Sequence, residues 1–205
     1  MLARAIDAIA QRKGWDTEEA EANANALLER RDALVDLLRR LGRHGEGTLM
    51  TRIHGDFHLG QVLVASGDAY IIDFEGEPAR PLSERRQKAS QLRDVAGLLR
   101  SVDYAAASMA DPKNIIASRV SPGRRQRLVM RLREGAEKAF LQGYHEATSG
   151  LLKLNSKELL DFFLIEKAAY EVAYEAANRP NWLGIPVTGL ARIATRLLEP
   201  DRVEA

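Results

Sequence analysis

Apolar residues recur at helical spacing along most of the chain. The first amphipathic segment covers Leu2–Lys13 and stops at Gly14. Asp16, with Glu19 three residues later, has the spacing of a capping box and opens a second helix that runs to about Leu41. Apolar positions of this second helix recur seven, four and three residues apart: Leu27, Leu34, Leu38 and Leu41. The pattern predicts two N-terminal helices that each bury one face.

In the middle of the chain the apolar residues no longer follow helical spacing. Val62-Leu63-Val64 and Tyr70-Ile71-Ile72 are short runs rich in β-branched and aromatic residues. Ser66-Gly67-Asp68 between them is a turn signal. The sequence therefore predicts one small β-hairpin.

Beyond Pro78 and Pro81 the helical pattern returns. Four further helices are predicted, with approximate bounds Ser83–Ala110, Ser121–Ser149, Asn155–Asn178 and Thr188–Leu198. Ser121-Pro122 and Asn155 with Glu158 have the residue types that open helices. We expect a single, mainly α domain over residues 1–205, with one inserted hairpin.

Composition narrows the function classes. The 205 residues carry a net charge of +1, so no general attraction to nucleic acid or to an anionic membrane is expected. No cysteine is present, which removes disulfides, thiolate catalysis and cysteine-ligated zinc and fits a cytoplasmic protein. No run of 18 apolar residues occurs, and the N-terminus does not resemble a signal peptide.

Candidate chemistry is concentrated at the two ends of the hairpin. Residues 52–63 contain Asp56 in a glycine-flanked loop, and residues 71–78 contain Asp73 directly after the second strand. The hairpin should bring both acids to its open end. A carboxylate that takes a hydroxyl proton and a carboxylate that holds magnesium are what phosphoryl transfer needs. The amide oxygen of Gln61 is a further hard ligand for magnesium.

Two motifs remain open to other interpretations. His54, Asp56 and His58 alternate along the loop and would also suit zinc or iron in a hydrolase. His54 is more simply explained as a structural anchor of the loop. The Arg85-Arg86 pair could bind phosphate or form the solvated start of a helix.

The spacing of these residues resembles the aminoglycoside phosphotransferase and choline kinase branch of the protein-kinase-like fold. The resemblance implies ATP and Mg²⁺ as cofactors, Asp56 as catalytic base, and Asp73 with Gln61 as metal ligands, although Asn is usual at the position of Gln61. It also implies that Asp94 accepts hydrogen bonds from the catalytic-loop backbone.

Four ordered blocks, residues 52–63, 73–86, 92–101 and 165–182, look like maltokinase, including the maltokinase part of trehalose synthase fusions. The resemblance implies transfer of the ATP γ-phosphate to the anomeric hydroxyl of maltose, with trehalose synthase as a possible partner. Lys167, Tyr170 and Tyr174 are three and four residues apart and share one helix face. In maltokinases the residues at these positions contact the disaccharide.

Residues 1–53 contain no strand-glycine-loop-strand pattern of an ATP-binding N-terminal lobe. The resemblance therefore implies a kinase-like C-terminal lobe alone, which by itself should bind maltose weakly and show negligible kinase activity. A non-catalytic sugar-binding or trehalose-synthase-docking module is the alternative from another class. Another small-molecule kinase, of the aminoglycoside or choline type, is the alternative within the same class.

Overall fold

A computed structural model describes residues 1–110, 120–149 and 157–199. The chain divides into two compact units. The first, called the terminal unit here, comprises Met1–Thr48 and Ser156–Ala205. The second, the central unit, comprises Leu49–Asn155. The predicted mainly helical architecture with a small antiparallel hairpin is confirmed.

The elements follow in chain order. They are α1 (Leu2–Gln11), α2 (Glu18–Glu29), α3 (Arg31–Gly42), β1 (Val62–Ala65), β2 (Asp68–Ile71), α4 (Leu82–Arg85), α5 (Leu92–Ala110), α6 (Pro122–Thr148), α7 (Lys157–Asn178) and α8 (Gly184–Leu198). Short 3₁₀ turns cover Arg43–Gly45, Leu59–Gln61 and Pro180–Trp182.

Helix α7 is the centre of the terminal unit. It packs against α1, α3 and α8, and α2 packs against α8. Ile165, Ala168 and Val172 on α7 are fully buried, together with Ile6 of α1 and Leu34 of α3. Burying one face of each helix is what makes short helices of ordinary propensity stable.

The predicted second helix is wrong as a single element, because the chain leaves helical geometry at Arg30. The Arg30 guanidinium donates to the Thr195 hydroxyl at 3.0 Å and pairs with Glu199 at 2.6 Å. These contacts tie the α2–α3 junction to the end of α8. The N-cap also differs, since Thr17 rather than Asp16 accepts a hydrogen bond, from the Ala20 N–H at 3.1 Å.

The predicted helix from Ser83 to Ala110 is likewise divided, into α4 and α5. Ala89 lies between them and forms a two-bonded bridge with Thr51, each N–H···O contact being 2.9 Å long. This extended pairing uses backbone groups that a continuous helix would need. Helix α8 begins at Gly184, four residues before the predicted start. Asn155, the predicted opening of α7, lies outside the described residues.

The hairpin is the only sheet in the part of the chain that the structure describes. Val62 pairs with Ile71 and Ala65 with Asp68. Ser66 and Gly67 connect the strands with φ values of 54° and 87°, as a two-residue turn with positive φ at both positions requires. Among the described residues, no helix is both long and apolar enough to cross a bilayer.

Candidate functional site

Asp94, in the first turn of α5, holds the loop that carries Asp56. One carboxylate oxygen accepts the His54 N–H at 2.7 Å, and the other accepts the Gly55 N–H at 2.9 Å. Gly55 has φ 86°, a conformation that favours glycine, and a Cβ there would lie 3.2 Å from the Cα of Gly76. The loop is thus fastened to α5 on one side and closely approached by the segment after Asp73 on the other.

The His54 side chain joins the two acidic motifs. Its Nε2 lies 2.7 Å from the Ile72 carbonyl oxygen, next to Asp73, and its Nδ1 accepts the Asp56 N–H at 3.4 Å. A carbonyl oxygen can only accept, so the proton is on Nε2. The ring is buried, with its centroid 4.9 Å from that of Phe74 and 5.5 Å from that of Phe57. His54 therefore anchors the loop with both nitrogens engaged.

Helix α5 supplies two further supports that were not predicted. The Ser101 hydroxyl accepts the Leu59 N–H at 3.0 Å and donates to the Leu98 carbonyl. A Cβ on Gly97 would lie only 2.6 Å from the Phe57 carbonyl oxygen. Asp94, Gly97 and Ser101 are three and four residues apart and so share one helix face. This spacing is the feature of the sequence that could have identified Gly97 and Ser101.

Asp73 and Gln61 meet at the open end of the hairpin. The Gln61 Nε2 donates to the Asp73 carboxylate at 3.2 Å, and the Ile72 N–H donates to the Gln61 carbonyl at 3.0 Å. Asp73 has φ 63°, which is uncommon for a residue other than glycine. Positive φ at such a residue is frequent where function dictates the backbone.

The donor set at this point fits magnesium. Asp73 provides an exposed carboxylate and Gln61 an amide oxygen, both hard ligands. Mg²⁺ is commonly held by one or two such groups together with phosphate oxygens and water. When bound, the ion would neutralise charge on phosphate groups.

The described residues do not favour the zinc or iron alternative. Among them, no three His, Asp or Glu side chains are grouped as metal ligands would be. Both ring nitrogens of His54 are engaged, and the His58 Nδ1 accepts the Gly60 N–H at 3.1 Å. His58 therefore caps the 3₁₀ turn that begins at Leu59.

In the terminal unit, the predicted sugar-binding residues form a stack of rings and cations on α7. The Lys167 Nζ lies 5.2 Å from the ring centroid of Tyr170, and the Tyr170 and Tyr174 centroids are 6.1 Å apart at 27°. The stack continues through Arg179, whose guanidinium carbon lies 5.7 Å from the Tyr174 centroid and 5.4 Å from that of Trp182.

Arg179 was not predicted, because it lies beyond the end of α7 and outside the three- and four-residue spacing of the other members. Glu175, almost fully buried, fixes it through contacts of 2.9 and 2.6 Å. Tyr174 remains 41% exposed and Trp182 44% exposed, so both offer ring surface to a ligand. The Asn178 side chain donates to the Tyr174 carbonyl at 2.8 Å.

Burial raises the pKa of the Asp94 carboxyl above its ordinary value of 3.8, although hydrogen bonds from Gly55 and His54 and the nearby charges oppose this. The native state therefore holds this proton more tightly than the unfolded state does. The resulting stabilisation is complete below pH 3.8 and is lost as the pH rises through the higher native pKa.

The quantity of interest is the unfolding free energy of the wild type less that of Asp94→Asn. We expect this difference to decrease as the pH rises from below 3.8 through the acidic range. Urea titrations of both proteins across that range measure it. A difference that grows with pH would mean that the hydrogen bonds outweigh burial.

Comparison with known proteins bears on the chemistry of these residues. The chain is 29% identical over 163 residues to the glucosamine kinase of Streptacidiphilus jiangxiensis, a match that covers 77% of this chain and 34% of the relative. It is 27% identical over 139 residues to that of Mycolicibacterium smegmatis strain ATCC 700084 / mc(2)155, covering 67% of this chain and 33% of the relative. No family model matches the chain.

Both relatives are sugar kinases. Solved structures of glucosamine kinase share the fold at 24% identity. Crystal form B has a TM-score of 0.77 and matches 98% of this chain and 44% of its own. A complex with glucosamine, ADP and inorganic phosphate has a TM-score of 0.76, covering 94% of this chain and 42% of its own. The chain thus has the fold of part of a sugar kinase and spans about a third of the length of the curated relatives it matches.

Proposed function

We propose that this chain carries the phosphoryl-acceptor chemistry of an ATP-dependent sugar kinase. The observation that carries the proposal is the His54 ring, which hydrogen-bonds to Ile72 beside Asp73 and receives the Asp56 N–H. The two acidic motifs are thereby held by one buried side chain. Similarity to glucosamine kinases, in both sequence and fold, supports the reaction class.

In the proposed reaction Asp56 accepts the proton of the sugar hydroxyl while the hydroxyl oxygen bonds to the γ-phosphorus of ATP. The bond from that phosphorus to the bridging oxygen breaks, and ADP leaves. Asp73 and Gln61 would hold Mg²⁺, which lowers the cost of charge on the phosphates. Asp94, Gly97 and Ser101 position the loop and do not touch the reacting atoms. Proton transfer by a positioned base typically contributes a factor of about 10²–10⁴.

We propose the α7 stack as the acceptor-binding surface and maltose as the acceptor. Sugar rings pack an apolar face on aromatic side chains while their hydroxyls bond to polar groups. Lys167 and Arg179 lie over the two tyrosine rings. Glu175 pairs with Arg179, so that cation adds no net charge to a face that would receive a neutral disaccharide. The maltokinase-like sequence blocks favour the same acceptor, and glucosamine, the sugar named for the relatives, is the rival.

Tyr174→Ala is expected to weaken maltose binding to the 205-residue chain about tenfold, because a stacking ring is lost. Tyr70→Ala is the matched control, since Tyr70 is a similarly exposed tyrosine on the hairpin (54% against 41%). Calorimetry with maltose and with glucosamine measures both variants. Equal affinity of Tyr174→Ala and wild type for maltose would exclude this face, and tighter binding of glucosamine would exclude maltose as the preferred acceptor.

The 205-residue chain alone is expected to phosphorylate maltose several orders of magnitude more slowly than a kinase does. The chain spans about a third of the length of the glucosamine kinases it matches, and orientation of a phosphate donor supplies about 7–11 kcal/mol in favourable cases. Phosphorus NMR of ATP, Mg²⁺ and maltose with the chain measures the product. Rapid turnover would contradict the expectation. Sugar binding with no turnover and no affinity for Mg²⁺-nucleotide would favour a non-catalytic sugar-binding or docking module.

A further inference from the structure

A cavity of about 350 Å³ lies in the central unit, beside the segment that follows Asp73. Three arginines line it: Arg52, Arg85 and Arg86. Phe74, Glu75 and Leu82 contribute to its wall. The bridge between Thr51 and Ala89 holds the segment of Arg52 beside the segment that follows Arg85 and Arg86. Residues far apart in sequence are thus brought to one basic concavity.

None of these three arginines forms an ion pair with a carboxylate within residues 1–110, 120–149 and 157–199. This is unlike Arg30, Arg179 and Arg196, each of which contacts a carboxylate at 2.6 Å. Three positive charges on the lining of one concavity favour an anion there.

Arg85 is held in place by the backbone around it. Its Nη1 donates to the Glu75 carbonyl at 3.2 Å. Its side-chain carbons pack on Gly76, where an added Cβ would lie 3.4–3.5 Å from them. Its Nε is buried and has no hydrogen-bond partner in the described structure. The contacts with Glu75 and Gly76 therefore hold the Arg85 side chain in one place at the wall of the cavity.

The charge of the lining selects the kind of anion. The lining contains three arginines and one glutamate, Glu75, so its net charge is +2. A phosphomonoester carries about 1.5 to 2 negative charges at pH 7, and its oxygens suit the fork of donors on a guanidinium. Phe74 and Leu82, which are 57% and 52% exposed, offer apolar surface for the carbon part of such an ester.

We propose that this cavity binds the phosphate group of a small phosphate compound, either inorganic phosphate or a sugar phosphate. Arg85 is the pre-positioned central donor, and Arg52 and Arg86 close around the anion. Phe74 and Glu75 directly follow Asp73, so a bound phosphate contacts the segment that continues from the proposed metal motif. The inference stands on the cavity alone and does not require the proposed kinase activity.

The test is titration of the ¹⁵N-labelled 205-residue chain with inorganic phosphate, with glucose 6-phosphate and with glucose, in the presence of a chelator. Both phosphate compounds are expected to shift the amide signals of Phe74, Glu75 and Leu82, and glucose is not. Tighter binding of glucose 6-phosphate would assign the apolar wall to the sugar, whereas equal binding would assign the site to the phosphate group alone. Equal shifts from glucose and glucose 6-phosphate would overturn the proposal.

Arg52→Gln and Arg86→Gln are each expected to raise the phosphate dissociation constant about tenfold, as loss of a charge-assisted contact does. Both side chains are exposed, so folding should be retained. Arg85→Lys keeps the charge and the packed stem, and is expected to bind less well because the fork is lost. Arg131→Gln, an exposed arginine of α6 outside the cavity, is the matched control. Absence of phosphate binding, or equal weakening by Arg131→Gln and Arg86→Gln, would reduce the cavity to a solvated basic surface.

Discussion

Replacing Gly97 with alanine is expected to lower the free energy of unfolding by about 1–3 kcal/mol, the usual range for a side chain forced into occupied space. The added Cβ would lie 2.6 Å from the Phe57 carbonyl oxygen. That neighbour is backbone, so neither it nor α5 can yield by a side-chain rotation. The loop of Asp56 must move away from the helix that holds it.

Gly135→Ala is the matched control for this substitution. Gly135 lies inside α6 of the same unit, and nothing lies within 4 Å of its Cβ position. Alanine there is expected to raise stability by about 0.5–1 kcal/mol, because glycine is the poorer helix former. Urea unfolding followed by circular dichroism measures both variants. A Gly97→Ala variant as stable as the wild type, or more stable, would mean that Gly97 is not a contact point between α5 and the loop.

Replacing Asp73 with asparagine is expected to raise the dissociation constant for Mg²⁺-ADP by about a hundredfold or more. Loss of a group that merely supports a metal ligand typically costs 10–100-fold, and Asp73 is proposed to bind the metal itself. Asparagine tolerates the φ of 63° at this position, so the backbone conformation should persist. Calorimetry with Mg²⁺-ADP, and with Mg²⁺ alone, measures the change.

Asp68→Asn separates this effect from a general loss of negative charge. Asp68 is exposed and lies at the turn end of the same hairpin, paired with Ala65. It is expected to bind Mg²⁺-ADP as the wild type does. A small effect of Asp73→Asn, or equal effects of the two variants, would remove Asp73 from the proposed metal site. The test of phosphate binding in the proposed cavity does not depend on either result.

Helix α5 explains why Asp56 can be presented on a loop and still be well placed. Asp94 accepts two of the loop's N–H groups, Ser101 accepts a third, and Gly97 admits the Phe57 carbonyl to the helix surface. Each contact fixes a different point of one short segment. Such support is what the catalytic base proposed at Asp56 would need, because geometry supplies much of the rate.

The hairpin and the start of α6 were predictable because their signals are local. Ser66-Gly67 suits a turn with positive φ, and Ser121-Pro122 suits a helix N-terminus. The breaks at Arg30 and Ala89 have no comparable signal. Each depends on a partner distant in sequence: Thr195 and Glu199 for the first, Thr51 for the second.

The sequence by itself determined a helical protein with one hairpin and acidic motifs at the hairpin's ends, because residue type and period are local properties. The tertiary structure fixed the partners of the two supports expected from the sequence, His54 and Asp94, and added Gly97 and Ser101 behind the loop. It also gathered Arg52, Arg85 and Arg86 around one cavity. Such contacts arise only when distant segments pack, since side chains of suitable chemistry are not adjacent until the chain has folded.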